Sequence, residues 1–119
     1  QMIYFVDFRN ADLTNIKVNS VQFFGCDFSN TKLDGMAAKQ MFIVKSYFNN
    51  TMMNNFEISE TWIQTTSFNN VEMTNGIFDD ITFIDTHFLE TNLDGTIISN
   101  LNEMDNNTYD CKNNPICNK

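Results

Sequence analysis

Residues 21–35 read VQFFG-CDFSN-TKLDG, and this stretch decides the fold. Each group of five carries a small residue first, a large apolar residue third and a turn-forming residue fifth. The same phase holds along almost the whole chain, because every fifth residue from Ile3 to Ile98 is apolar. Neither the helix period of 3.6 nor the strand period of 2 produces this spacing. The pentad therefore predicts a chain that turns a corner every five residues.

The fifth position of the pentad is usually Asn or Gly. Both residues tolerate a positive φ, so this position predicts the corner. A second period of twenty lies on top of the first, since the centres at 8, 28, 48, 68 and 88 are all Phe. Four pentads therefore make one turn, and equal side chains stack from coil to coil. Volumes also compensate, because Met36 precedes the small Ala38 and Gly76 precedes the large Phe78.

This register resembles the pentapeptide-repeat family, whose motif is a small residue, Asp or Asn, Leu or Phe, and two polar residues. Residues 11–15 (ADLTN) and 26–30 (CDFSN) match it best, and residues 91–95 (TNLDG) are close. The resemblance covers about residues 1–101 and implies an all-β fold, a right-handed four-sided parallel β-helix (solenoid) of about five 20-residue coils.

The two ends of the repeat carry further predictions. The next centre after Ile98 would be Glu103, so the repeat is expected to end near residue 101. The polar, Asn-rich residues 102–119 are predicted to be a C-terminal cap or a linker segment. The chain opens with Gln1 already in phase, and we therefore expect a fragment with a cap or more coils upstream.

The sequence offers no constellation typical of a catalytic, cofactor or metal site. The sole histidine, His87, falls in an outward column without a nucleophile motif and is expected to be a solvated surface residue. Cys26 lies in the small inward column, which favours a buried thiol. The sequence does not decide whether Cys111 and Cys117 form a local disulfide, and two cysteines are too few for a zinc site. We expect no enzyme, no cofactor, no metal and, since no stretch is long enough to span a bilayer, no membrane partner.

One side of the predicted solenoid is apolar on its outside. The outward positions around centres 3, 23, 43, 63 and 83 form this apolar face, with Met2, Tyr4, Phe24, Phe42, Val44, Trp62 and Ile84. An aligned aromatic stripe that cannot turn inward favours contact with another protein or an adjoining domain, and it leaves a homodimer open. The predicted partner-binding residues are Tyr4, Phe24, Phe42, Val44, Trp62 and Ile84.

Charge is distributed unevenly along the chain. Residues 57–110 hold eleven acidic residues and no basic one, whereas the first 56 residues hold four acidic and five basic residues. Phosphates would be repelled, so direct nucleic-acid binding is not expected. The resemblance implies an alternative, because pentapeptide-repeat proteins that protect DNA gyrase mimic B-form DNA and bind the enzyme's DNA saddle. Such a DNA-mimic protein would bind gyrase or topoisomerase through its acidic surface, at Glu57, Glu60, Asp79 and Asp80.

The leading prediction is a non-catalytic protein–protein interaction module, the β-helix part of a larger bacterial protein. Secreted bacterial effectors that carry a pentapeptide-repeat β-helix ahead of a ubiquitin-ligase domain resemble this arrangement. In them the helix recruits or positions a host protein. The resemblance implies either the bacterial cytoplasm or, for an effector, secretion into the host cytoplasm, and the residues do not choose between the two.

Overall fold

The structure is a computed structural model that describes residues 1–118. It is a right-handed four-sided parallel β-helix of about six turns, so the predicted fold class is confirmed. The described strands, in chain order, are β1 (Met2–Tyr4), β2 (Lys17–Asn19), β3 (Gln22–Phe24), β4 (Ala37–Lys39), β5 (Phe42–Val44), β6 (Tyr47–Asn49), β7 (Glu57–Gln64), β8 (Ser67–Asn69), β9 (Ile77–Ile84), β10 (His87–Asn92), β11 (Ile97–Glu103) and β12 (Thr108–Lys112). A 3-10 helix follows at Pro115–Asn118.

The corners lie at every fifth residue from Phe5 to Asn100, as the pentad predicts. All twenty have a positive φ, between 47° and 73°. Asn and Gly adopt this conformation at little cost, whereas bulkier corner residues such as Lys45 and Thr65 adopt it against their own preference. Corner amides join the inter-coil ladder, and the Thr65 N–H donates to the Ile84 carbonyl at 3.0 Å. The stack therefore imposes the same corner on every residue type.

The coils stack in a register of twenty residues and form four faces. The first face carries β1, β3, β5 and the second halves of β7, β9 and β11. The fourth face carries β2, β4 and the first halves of the same long strands, which bend across the shared corner, so the first and fourth faces belong to one eight-stranded sheet. The second face is the sheet of β6, β8, β10 and β12, and single parallel bridges such as Asp12↔Lys32 link the coils along the third face.

A column of stacked phenylalanines fills one side of the interior. Neighbouring rings at positions 8, 28, 48, 68 and 88 lie 4.7–4.9 Å apart and within 13° of parallel. Hydroxyl residues occupy many of the small inward positions, and several of their oxygens donate to backbone carbonyls 23 residues earlier, for example Thr91 to Phe68 at 3.0 Å. The buried hydroxyl groups at these positions are thus hydrogen-bonded inside an apolar core.

One aromatic residue occupies a small inward position. Phe56 is fully buried, and its ring lies 4.7 Å from that of Phe78. It fits because the next residue in its column is Gly76, where an added Cβ would lie 2.1 Å from Cε1 of Phe56. Volume compensation therefore also acts between coils, at twenty residues' separation, in addition to the pairs seen within one pentad.

Strand pairing continues beyond residue 101, into the segment for which the sequence predicts a cap or linker. The register is twenty at Phe83↔Glu103, twenty-one at His87↔Thr108 and twenty again at Thr91↔Cys111. One residue is thus inserted after β11 and the phase is restored within β12. This insertion places Tyr109 over Phe88, with the ring centroids 5.9 Å apart.

Local interactions hold this last turn in place. The Asn107 side chain accepts a hydrogen bond from the Thr86 N–H at 2.9 Å and donates to the Phe83 carbonyl at 3.0 Å. It thus takes the place of the hydroxyl groups that make these two contacts in the regular coils, such as Thr66 with the Ser46 N–H and Thr86 with the Ile63 carbonyl. Burial, and secondarily the Glu103 carboxylate, raises the pKa of Tyr109. Cys111 and Cys117 form a disulfide, the outcome that the sequence left open, and Cys26 is a buried free thiol as expected.

Candidate functional site

The apolar face lies on the first face of the solenoid and consists of two columns. The even-numbered outward positions form one column at 2, 22, 42, 62 and 82 and a second at 4, 24, 44, 64 and 84. The structure places all six predicted partner-binding residues in these columns: Tyr4, Phe24, Phe42, Val44, Trp62 and Ile84. Tyr4 and Phe42 keep about half of their surface exposed, 49% and 48%. The aromatic rings separate into two clusters along the face.

The cluster near the N-terminus includes a residue that the pattern analysis missed. Phe5 is a corner residue with a φ of 53° and is 74% exposed. Its ring lies 6.0 Å from Phe24, nearly perpendicular to it, and Tyr4 lies 5.9 Å from Phe24. Gly25 makes room for the Phe5 ring, since a Cβ there would approach it to 2.6 Å. The available signal was a phenylalanine in a corner column otherwise expected to hold Asn or Gly.

Lys45 closes this N-terminal cluster on one side. Its Nζ lies 5.4 Å from the centroid of the Phe24 ring, within the range of a cation–π contact. The cleft between Tyr4, Phe24 and Phe42 measures only about 70 Å³. The cluster is therefore a shallow aromatic surface with a positive edge and is too small to enclose a ligand.

The second cluster is the pair Phe42 and Trp62. The two rings lie 6.0 Å apart with 27° between their planes, and the Trp62 Nε1–H donates to Gln64 Oε1 at 3.0 Å. The pair borders a groove of about 330 Å³, whose other lining residues include Gln40, Glu60, Asp80 and Thr82. Two carboxylates on the corner between the first and fourth faces thus stand beside the aromatic pair. From the sequence these two features are expected to be separate surfaces.

The four predicted acidic contact residues are divided between two grooves. Glu60, Asp79 and Asp80 line one groove together with Lys39, whereas Glu57 lines another that also contains Lys17 and Lys39. Lys39 Nζ lies 3.3 Å from a carboxylate oxygen of Glu60. The carboxylates therefore do not form an uninterrupted acidic strip.

The Asp79 carboxylate accepts hydrogen bonds from residues of the next coil. Asn100 Nδ2 and Ser99 Oγ donate to its carboxylate at 2.7 and 3.1 Å, and these hydrogen bonds lower the pKa of Asp79. Asp80, by contrast, makes no side-chain hydrogen bond or ion pair within residues 1–118. Within the described residues Glu57 likewise has no such partner, but of these two carboxylates only Asp80 lies beside the aromatic pair.

His87 lies on the outside of the solenoid with 37% of its side chain exposed, and two neighbours hold its ring. Its Nε2 lies 2.9 Å from Asp85 Oδ1 and its Nδ1 lies 2.9 Å from Thr108 Oγ1. The contact with Thr108 joins His87 to β12 of the last turn, whereas Asp85 lies two residues away in the same coil. Among the described residues no group of three His, Cys, Asp or Glu side chains could hold a metal ion, and no helix is long and apolar enough to cross a membrane.

Comparison with known proteins supports the repeat assignment. The family model "Pentapeptide repeats" matches residues 4–35, with 8 copies, which confirms the resemblance stated above. The pentapeptide repeat protein Rfr23 of the cyanobacterium Cyanothece 51142 has a TM-score of 0.58 at 10% identity, over 89% of this chain and 86% of that one. This likeness shows the fold alone.

Two further solved structures are weaker matches. Trypsin-treated QnrB1, a plasmid-mediated fluoroquinolone resistance protein, has a TM-score of 0.49 at 14% identity. The match covers 82% of this chain and only 53% of the QnrB1 chain. HetL, a pentapeptide repeat protein involved in heterocyst differentiation regulation from the cyanobacterium Nostoc sp. strain PCC 7120, has a TM-score of 0.37 at 8% identity, over 92% of this chain and 65% of that one. No curated protein matches the chain.

Proposed function

We propose that this chain, a pentapeptide-repeat β-helix, is a non-catalytic protein-interaction module that binds another protein through its apolar face. The observation that carries the proposal is the column of aromatic rings on the first face, with Phe42 48% exposed beside Trp62. Exposed aromatic clusters of this kind are common at the centres of protein interfaces, because rings bury a large area at a small cost in side-chain entropy.

The solenoid supports this role through its rigidity. The strands of the first face are hydrogen-bonded to both neighbouring coils, for example β5 to β3 and β7. Side chains on such a face are held at fixed separations before a partner arrives. Binding then costs little backbone ordering, which favours affinity for a given contact area.

Site-specific photo-crosslinking in an extract of the source cells tests the proposal. The chain offers a matched control pair on the same coil, since Phe42 on the first face and Met52 on the third are 48% and 42% exposed. A benzophenone amino acid is placed at one position or the other. We expect a protein to be captured from position 42 and not from position 52. After purification this protein should bind the chain, and Trp62→Ala should weaken its affinity by at least about tenfold.

Three outcomes contradict the proposal. The first is capture of the same proteins from both positions. The second is a purified partner whose affinity is unchanged by Trp62→Ala while the variant keeps its melting temperature. The third is a stable dimer, seen by light scattering after gel filtration, that Trp62→Glu dissociates; the apolar face would then be a surface for self-association.

A further inference from the structure

We propose that the groove between the aromatic pair Phe42–Trp62 and the corner carboxylates of Glu60 and Asp80 binds an arginine side chain on a basic segment of the partner protein. This inference rests on the proposed function and names the chemistry of the partner at that same face. An exposed aromatic pair and exposed carboxylates are each common on protein surfaces. Here the coil register places them side by side.

The register explains why the two features meet. Residues 60 and 80 are successive members of one corner column, and residues 42 and 62 are successive members of the adjoining outward column. The corner residue precedes the outward residue by two positions in the chain, so each carboxylate stands at the edge of the aromatic column. The resulting groove of about 330 Å³ is open to solvent along this edge.

The charge of the groove favours a cation. Its lining includes two carboxylates and, within the described part of the chain, no basic side chain. Asp80 has no side-chain partner there, and Glu60 is engaged only by Lys39 at 3.3 Å. Both members of the Lys39–Glu60 pair are well exposed, 56% and 42% of the side chain. An exposed pair of this kind contributes little to stability, so an incoming cation can replace Lys39.

The aromatic pair favours arginine over other cations. A guanidinium group can stack on an aromatic ring while its N–H groups reach a carboxylate, and an indole is the best ring for such a contact. Trp62 is held in place by its hydrogen bond to Gln64 Oε1, so the ring is oriented before the ligand binds. The N-terminal cluster is the opposite case, because Lys45 already occupies the vicinity of the Phe24 ring there.

The single tryptophan makes a direct test available, since Trp62 is the only Trp in the chain. The probe is the peptide acetyl-Gly-Arg-Gly-amide, titrated into the intact 119-residue chain and followed by the NMR signal of the Trp62 indole N–H. The same peptide with citrulline in place of arginine keeps the shape and removes the charge. We expect weak, saturable shifts with the arginine peptide, weakened by added salt, and none with the citrulline peptide.

Charge variants locate the site. Glu60→Gln with Asp80→Asn should weaken arginine-peptide binding by at least about fivefold, whereas Glu72→Gln with Asp94→Asn, the same charge change on the third face, should leave it unchanged. Lys39→Ala should tighten binding by about two- to fivefold, because Glu60 is then freed. Equal shifts with both peptides, no saturable shift, or equal weakening by both charge-variant pairs would overturn the inference.

The outcome is separable from that of the proposed function. If a partner captured from position 42 binds the Glu60→Gln/Asp80→Asn variant as tightly as the parent, the interaction module stands and the arginine site falls. If the arginine peptide binds as described but crosslinking shows no partner specific to the first face, the groove stands and the interaction module falls.

Discussion

The pairing of Phe56 with Gly76 allows a quantitative test of how the interior is packed. An alanine at position 76 would place its Cβ 2.1, 2.3 and 2.5 Å from three ring carbons of Phe56. The Phe56 ring has no free space to enter, since it is fully buried and packs 4.7 Å from Phe78. Overpacking of a close-packed core costs about 1–3 kcal/mol. The loss of glycine's freedom in the unfolded chain returns about 0.4–1 kcal/mol, so Gly76→Ala should lower the free energy of unfolding by about 1–2 kcal/mol.

The second arm of the test removes the ring. Phe56→Ala alone should cost about 3–5 kcal/mol, the usual loss for a fully buried phenylalanine. In that background the methyl group of Ala at position 76 enters the emptied space, so Gly76→Ala should become neutral or stabilising. The two changes should therefore couple by at least about 1 kcal/mol, as expected for side chains in direct contact.

Urea unfolding measures this cycle, with Trp62 fluorescence and far-UV circular dichroism as two probes of one transition. Ser67→Ala, an outward change on the second face, serves as the control and should stay within about 0.5 kcal/mol of the parent. The reasoning is refuted if Gly76→Ala has the same effect in both backgrounds. It is also refuted if Gly76→Ala stabilises the parent, because the ring would then have moved away at no cost.

Three further predictions concern other parts of the solenoid. Phe48→Ala breaks the phenylalanine column between rings 4.7 and 4.8 Å away and should cost about 3–5 kcal/mol in the same assay; a cost below 1 kcal/mol would contradict the column's role. Thr65→Asn relieves a β-branched corner at a φ of 49° and should stabilise by about 1 kcal/mol, whereas the reverse change Asn55→Thr should destabilise; equal effects of both would argue against corner strain. The side-chain hydrogen bonds from Arg9, and secondarily its backbone N–H, lower the pKa of Asp7 from 3.8 to about 2, so NMR should show its carboxyl titrating there. In Arg9→Ala the pKa should rise toward 3.8, because only the backbone N–H of residue 9 still donates to the carboxylate. Because this pKa is lower in the folded protein, the pair stabilises the fold above pH about 4, and this contribution is lost as the pH falls toward 2. An Arg9→Ala variant whose stability depends on pH in the same way as that of the parent would contradict this.

The fold was predictable because backbone geometry and sequence share one period. A corner every five residues requires a positive φ at a fixed position, and Asn and Gly mark that position often enough to reveal the phase. The last turn was less visible for a physical reason. The count by fives meets the charged Glu103 at a centre position, although the backbone there stays in register with Phe83. A single inserted residue, bridged by the Asn107 side chain, then moves the next centre from position 108 to Tyr109.

The candidate site was predictable in its parts and not in its arrangement. The outward aromatic residues and the acidic residues both follow from the pentad, but a list of outward positions does not show which columns share an edge. The joining of Glu60 and Asp80 to Phe42 and Trp62 depends on the corner that lies between two faces. Phe5 was missed because the corner position was interpreted only as a turn, although its side chain also points to solvent.

The register of twenty also bears on how such a protein forms and changes. Nearly every tertiary partner of a residue lies one coil away, so chain closure never has to bridge a long loop, and folding can advance one coil at a time from any point of nucleation. The same property makes one coil the unit by which the chain can be shortened or lengthened. Deletion of residues 41–60 would bring β3 onto the second half of β7 in the same register, which yields a shorter rod with its ladders intact. Length can therefore change by whole coils while the surface of each remaining coil is preserved.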